Sequence, residues 1–143
     1  MTYLADVNVW LAQSYTGHVH HRSARAWFEE SENDTIAFCR LTQSGLLRLL
    51  TNRKVMGDDV LSTLGAWKVY DGLLRTNGIV FAAEPDGLEL AWREATEYPR
   101  SGPNFWTDAY LSAFASAADL TIVTFDRAFR HHRGTRVKVL SGS

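Results

Sequence analysis

Asn104–Asp126 reads NFWTDAYLSAFASAADLTIVTFD. Small residues dominate its first half, as in a closely packed helix, and Ala118-Asp119 turns the chain into a β-branched apolar strand, Thr121 to Phe125. With Asn104 as cap, Asp108 falls near the start of the helix, and Asp126 follows the last apolar strand residue. In open α/β sheets, ligands bind at the edge where parallel strands leave the sheet. A third acid, Asp6, ends a similar apolar run at Tyr3-Leu4-Ala5. Strand-terminal aspartates from both ends of the chain are thus expected to converge on one cleft.

Working outward, short apolar runs alternate with amphipathic segments. Leu4 to Ala5 predicts a strand, Val9 to Tyr15 a helix, and His18 to Ser31 a second helix with His20, Ala24, Trp27 and Phe28 on one face. Thr35 to Cys39 predicts a buried strand, and Leu41 to Thr51 a helix with Gln43, Leu46, Leu47 and Leu50 along its inner side. A helix from Asp58-Asp59 to Arg75, a strand over Ile79 to Ala83, a helix over Leu88 to Tyr98 and a last strand over Arg136 to Leu140 complete the pattern. Strands separated by helices predict a three-layer α/β/α sandwich around a mainly parallel sheet. No repeat or linker divides it, so residues 1–143 are read as one domain.

Composition sets the class. A chain of 143 residues, 45% hydrophobic and 22% charged, supports a real core without disulfides or a structural metal. The lone cysteine, Cys39, lies in an apolar run, which predicts a buried reduced thiol and a cytoplasmic location. No apolar run is long enough to span a bilayer, and no export segment is seen at the N-terminus. The net charge of -1 exerts no global pull on nucleic acid. Arg127, Arg130, Arg133, Arg136 and Lys138 nevertheless form a local basic end with no intervening acid.

Each acid has a structural explanation, since Asp6 and Asp126 suit helix caps and Asp108 suits a helix dipole. Their predicted meeting at one sheet edge favours chemistry instead. Thr124 points to the same side of its strand as Asp126, Ser112 lies one turn after Asp108, and Asn8 is close to Asp6, so all three are candidate supporting residues. Three carboxylates in one cleft repel unless protons or a cation compensate. A hard divalent cation, Mg²⁺ or in its place Mn²⁺, meets that need and suits in-line attack of water on a phosphodiester.

Asp6-Val7-Asn8, Trp106-Thr107-Asp108-Ala109 and Thr124-Phe125-Asp126, in that order and spacing, resemble the PIN domain. Nearly the whole chain is similar to the VapC-type toxins of bacterial toxin-antitoxin pairs. That resemblance implies a single PIN-like domain with metal-dependent endoribonuclease activity on structured RNA, often tRNA or rRNA, held inactive by a VapB-type antitoxin. It makes Asp6, Asp108 and Asp126 metal ligands, with Asn8 and Thr124 in support. The family usually carries a glutamate where this sequence has Gln43. An amide oxygen can ligate or hold a bound water, but brings no charge and no base. The alternative reading is therefore a PIN-like module that binds RNA or protein without cutting.

The remaining candidates have bland readings beside functional ones. His18, His20 and His21 in one place and His131 and His132 in another would serve a metal-free histidine nuclease only if they met. Packing and solvation are the favoured roles. Arg127, Arg130 and Arg133 start one residue beyond Asp126 and suit the phosphates flanking a cut, although charged ends are commonly just wet surface. Trp106 is read as core and Trp10 is left open between core and base stacking. Surplus apolar residues on the helices at Leu41–Thr51 and Asp58–Arg75 suggest an antitoxin groove or a homodimer contact. Asp58 and Asp59 are read as a helix start. An aspartate-nucleophile phosphohydrolase is disfavoured, because Asp6-Val7-Asn8 lacks a second acid two residues on.

Overall fold

The structure, a computed structural model, describes residues 1–131 and 134–142, with the backbone alone for Arg130 and His131. Its strands are β1 (Thr2–Ala5), β2 (Thr35–Phe38), β3 (Ile79–Phe81), β4 (Thr121–Thr124) and β5 (Val137–Val139). They form one sheet in the order β3-β2-β1-β4-β5, with every neighbouring pair parallel. Parallel neighbours need long crossovers. The main ones carry α1 (Val7–Ser14) and α2 (His21–Glu30), then α3 (Arg40–Leu50), α4 (Arg53–Met56) and α5 (Thr63–Leu74), then α6 (Leu88–Ala95) and α7 (Phe105–Ala118).

Side-chain alternation along the strands sorts the core into two layers. Tyr3, Ala5, Ile36, Phe38 and Val123 pack with Val9, Trp10, Trp27, Leu46 and Tyr70 of α1, α2, α3 and α5. Leu4, Ala37, Cys39 and Ile122 face Leu88 of α6 and Leu111, Phe114 and Ala115 of α7. Burial on both faces is why these strands read as unbroken apolar runs rather than alternating ones. Trp10 settles into the first layer, fully buried and stacked on Phe38 with ring centroids 3.7 Å apart. The small residues of α7 let it approach the sheet, and the helix ends at Asp119, whose φ of 57° is a left-handed cap that Asp tolerates. Gly45 permits another close approach: a Cβ there would lie 2.7 Å from Val7 Cγ2, so α3 sits against the first turn of α1.

Three expectations need correction. The stretch from Asp58 to Arg75 is not one helix: a 3-10 turn over Gly57–Asp59 precedes a break, and α5 starts only where the Ser62 hydroxyl accepts from the Gly65 N–H at 3.0 Å. Asp58 and Asp59 therefore do not open α5. The second helix starts at His21, not His18, because the His18 ring accepts the His20 N–H at 3.0 Å in a local turn that competes with helical pairing. Trp106 is not core but 62% exposed, its carbonyl accepting from the Trp92 indole at 3.2 Å. Cys39 is buried as expected, and its N–H donates to Thr42 Oγ1 at 2.9 Å at the start of α3.

Candidate active site

From β1 the chain crosses to β2 and β3 on one side, whereas β4 and β5 lie on the other. The reversal makes the carboxyl ends of β1 and β4 the topological switch point, where an open parallel sheet binds ligands. Asp6 follows β1, Asp126 follows β4 with one residue between, and the first turn of α7 brings Asp108 to the same place. The expected convergence is present in the electrostatics: the charges of both Asp6 and Asp126 act on Asp108.

Thr124 organises two of these acids. It is fully buried, and its hydroxyl donates to Asp6 Oδ2 at 2.8 Å while accepting the Asp126 N–H at 3.0 Å. Asn8 spans the same seam, its amide reaching Thr124 Oγ1 at 3.5 Å and its Oδ1 accepting the Phe125 N–H at 3.4 Å. The other Asp6 oxygen accepts the Val7 N–H at 2.8 Å, and Asp126 Oδ1 accepts the Ala128 N–H at 2.9 Å. Asp6 and Asp126 thus have their orientations fixed by the backbone around them. Thr124→Val keeps the shape but leaves an Asp6 oxygen and the Asp126 N–H without their partner. We expect a loss of about 1–3 kcal/mol, measured by urea denaturation.

Burial pushes the Asp6 carboxyl above its ordinary value, against the opposing pull of the Thr124 hydroxyl and Val7 N–H, and the Asp126 charge raises it further. Asp108 is pushed up to about 7, first by burial and then by the charges of Asp6 and Asp126. Negative charge is therefore crowded and uncompensated in this cleft.

The donor set fits a hard divalent cation in kind: three carboxylates, with no sulfur or imidazole among them. As placed, no three His, Cys, Asp or Glu side chains among the described residues form a ready-made cage. Holding an ion would draw the acids closer together or leave part of its shell to water.

Other sequence candidates fare differently. The Ser112 hydroxyl pairs with Thr135 Oγ1, so its hydrogen bond is made away from the carboxylates. Gln43 is buried and its Oε1 accepts from Arg40 Nη1 at 2.6 Å, so the oxygen expected to serve a metal or water is already engaged. Arg40 itself was missed by sequence reading; its place directly after an apolar strand was the available signal. Arg127 is exposed beside Asp126, whereas the Arg130 side chain and Arg133 lie outside the described residues.

Of the histidines, His20 stacks on Phe125 with centroids 4.6 Å apart, and a His21 ring nitrogen pairs with the Ala12 carbonyl at 2.7 Å. These are packing roles. His132 and the His131 side chain lie outside the described residues.

The PIN domain family model matches residues 3–134, and the chain belongs to that family. Among named relatives, it is 45% identical over 143 residues to Ribonuclease VapC41 of Mycobacterium tuberculosis, covering 96% of this chain and 98% of the relative. In fold it is similar to VapBC2 of Rickettsia felis, solved bound to a DNA fragment from the promoter, with a TM-score of 0.73, 15% identity and coverage of 99% and 100% of the two chains. It is also similar to Mycobacterium tuberculosis VapC20, described as a Sarcin-Ricin loop cleaving toxin, with a TM-score of 0.65, 16% identity and coverage of 94% and 98%.

Proposed function

We propose that this protein is a metal-dependent endoribonuclease, the toxin of a VapBC-type toxin-antitoxin pair, which hydrolyses phosphodiester bonds in structured RNA such as tRNA or rRNA. The observation that carries this reading is the meeting of three acids at the ends of β1 and β4, where Asp6 and Asp126 are fixed by Thr124 and Asp108 faces the charge of both. The 45% identity to a VapC ribonuclease over 96% of the chain supports it.

Asp6, Asp108 and Asp126 would hold Mg²⁺ or Mn²⁺. When bound, the ion offsets the carboxylate charge, positions and acidifies a water, and draws charge from the phosphodiester. Asp6 and Asp126 contribute carboxylates of fixed orientation, and Asp108 must lose its proton to join them near neutral pH. Arg127, exposed beside Asp126, suits a phosphate flanking the cut.

On the α3–α5 side, Val55, Leu64 and Trp67 remain exposed. Apolar surface of this kind suits a VapB-type antitoxin or a second copy of the chain. Among the described residues no helix is long and apolar enough to cross a membrane. The proposed action on cellular RNA goes with work in the cytoplasm.

The test is cleavage of total cellular RNA by purified, antitoxin-free protein with Mg²⁺, Mn²⁺ or EDTA. Discrete products are expected with either metal and none with EDTA, and Asp6→Asn and Asp126→Asn are expected to lose them while remaining folded. Mg²⁺ at about 100 times its Kd should also add about 2.7 kcal/mol of stability, seen as a rise in Tm that EDTA reverses. The engagement of Gln43 by Arg40 favours a second reading, an RNA-binding module that does not cut. RNA binding by folded protein with no products under any metal would select it.

A further inference from the structure

Arg40 is the first residue of α3, separated from the end of β2 only by the cap residue Cys39. Tyr3 and Leu4 pair with Ile36 and Ala37, so β1 and β2 run side by side, and Asp6 and Arg40 each lie just beyond the carboxyl end of one of them. Arg40 therefore stands at the same sheet edge as the acids, one strand over.

Its guanidinium is exposed at the rim, yet held from two sides. Nη1 donates to the Oε1 of buried Gln43 at 2.6 Å, and the guanidinium carbon lies 4.6 Å over the Phe81 ring at the end of β3. Among the described residues no carboxylate is paired with it, in contrast to Arg25, Arg53, Arg93 and Arg136. An exposed arginine normally stays mobile, because ordering it sacrifices rotamer freedom. Here a buried amide and an aromatic face order it in advance, and among the described residues its remaining donors have no hydrogen-bond partner. Its charge is left for a ligand rather than spent on an ion pair within the protein.

We propose that Arg40 binds a backbone phosphate of the RNA next to the scissile one, and that Gln43 is a positioning residue that aims the guanidinium rather than a metal ligand. This rests on the nuclease reading of the same site. It also gives the absent glutamate a physical role: a carboxylate at 43 would pair with Arg40 and withdraw its charge from RNA, whereas the neutral amide orients the cation and leaves the charge available.

The experiment measures binding of a single-stranded RNA across a salt series, in the Asp108→Asn background with EDTA so that nothing is cut. Arg40→Met is expected to weaken binding about 3- to 10-fold and to reduce the slope of log K against log salt by about 0.7, the share of one phosphate on a single strand. Arg40→Lys should keep the slope with somewhat lower affinity, since lysine retains the charge but not the planar fork. Gln43→Glu should weaken binding as Arg40→Met does.

Unchanged affinity and slope in Arg40→Met would overturn the proposal, as would a loss of affinity with no change in slope, which marks a packing role. Gln43→Glu that tightens Mg²⁺ without weakening RNA would return position 43 to the metal site and overturn it too. Metal-dependent cleavage by the unsubstituted protein is scored separately. The nuclease reading can therefore stand while this one falls, and an unsubstituted protein that neither cuts nor binds RNA removes both.

Discussion

Asp108→Asn is expected to abolish cleavage, by at least about 10²-fold, and at the same time to stabilise the cation-free protein at pH 8. In the folded chain the Asp108 carboxyl is held up to about 7 by burial and by Asp6 and Asp126, against an ordinary 3.8. Folding therefore takes up a proton between these two values. The stability associated with the neutral carboxyl is fully present below pH 3.8 and is lost as pH rises through about 7, where the buried charge must form. Asparagine carries no such charge. With allowance for solvent screening of a partly exposed site, the variant should gain about 1–2 kcal/mol at pH 8 and nothing at pH 3.5.

Urea denaturation at the two pH values in EDTA measures this, and Mg²⁺ should stabilise the unsubstituted protein while leaving the variant nearly unmoved. Equal stability at both pH values would separate Asp108 from the acid cluster. A gain in stability on loss of function is the signature of charge gathered for a ligand rather than for the fold.

The largest effect on stability is expected at Trp10. Its ring is fully buried, stacks on Phe38 and lies 5.4 Å from Phe28. Trp10→Ala removes that stack and leaves a cavity, for a loss of about 3–5 kcal/mol. That is a large part of the 5–15 kcal/mol that holds a domain together. The indole Nε1 is buried with no hydrogen-bond partner among the described residues, so Trp10→Phe relieves one unpaired donor and should cost less than about 2 kcal/mol. Since α1 begins at the Asp6 cap, loosening it also frees a site carboxylate, and Trp10→Ala should lose cleavage below its own Tm. A Trp10→Ala protein with unchanged Tm would show that the stack contributes little.

Much of the fold was legible because its signals are local. Apolar runs such as Tyr3-Leu4-Ala5 and Thr121 to Phe125, separated by amphipathic stretches, announce strands buried on both faces and hence a parallel sheet under helices. Strand-terminal Asp6 and Asp126 then place themselves at one edge, and Asp108 follows from its turn of α7. Where local signals compete, the reading failed. Gly57 and Ser62 divide what hydrophobic spacing joined into one helix, and the His18 ring cuts short the start of another.

Tertiary structure alone decided the rest. Trp106 has the spacing of a core residue, yet at the exposed start of α7 it meets solvent beside Trp92. Ser112 shares a helix stripe with Asp108, but the loop before β5 supplies Thr135 as its partner. The Arg40–Gln43 bond is local to the first turn of α3, but the seating of Arg40 over Phe81 depends on β2 and β3 lying side by side, which brings residues about 40 apart in sequence into contact. Sequence determined which residues carry charge and which of them follow the strands. Only the packing of distant elements decided which charges meet, because burial and Coulomb interaction depend on separation in space rather than along the chain.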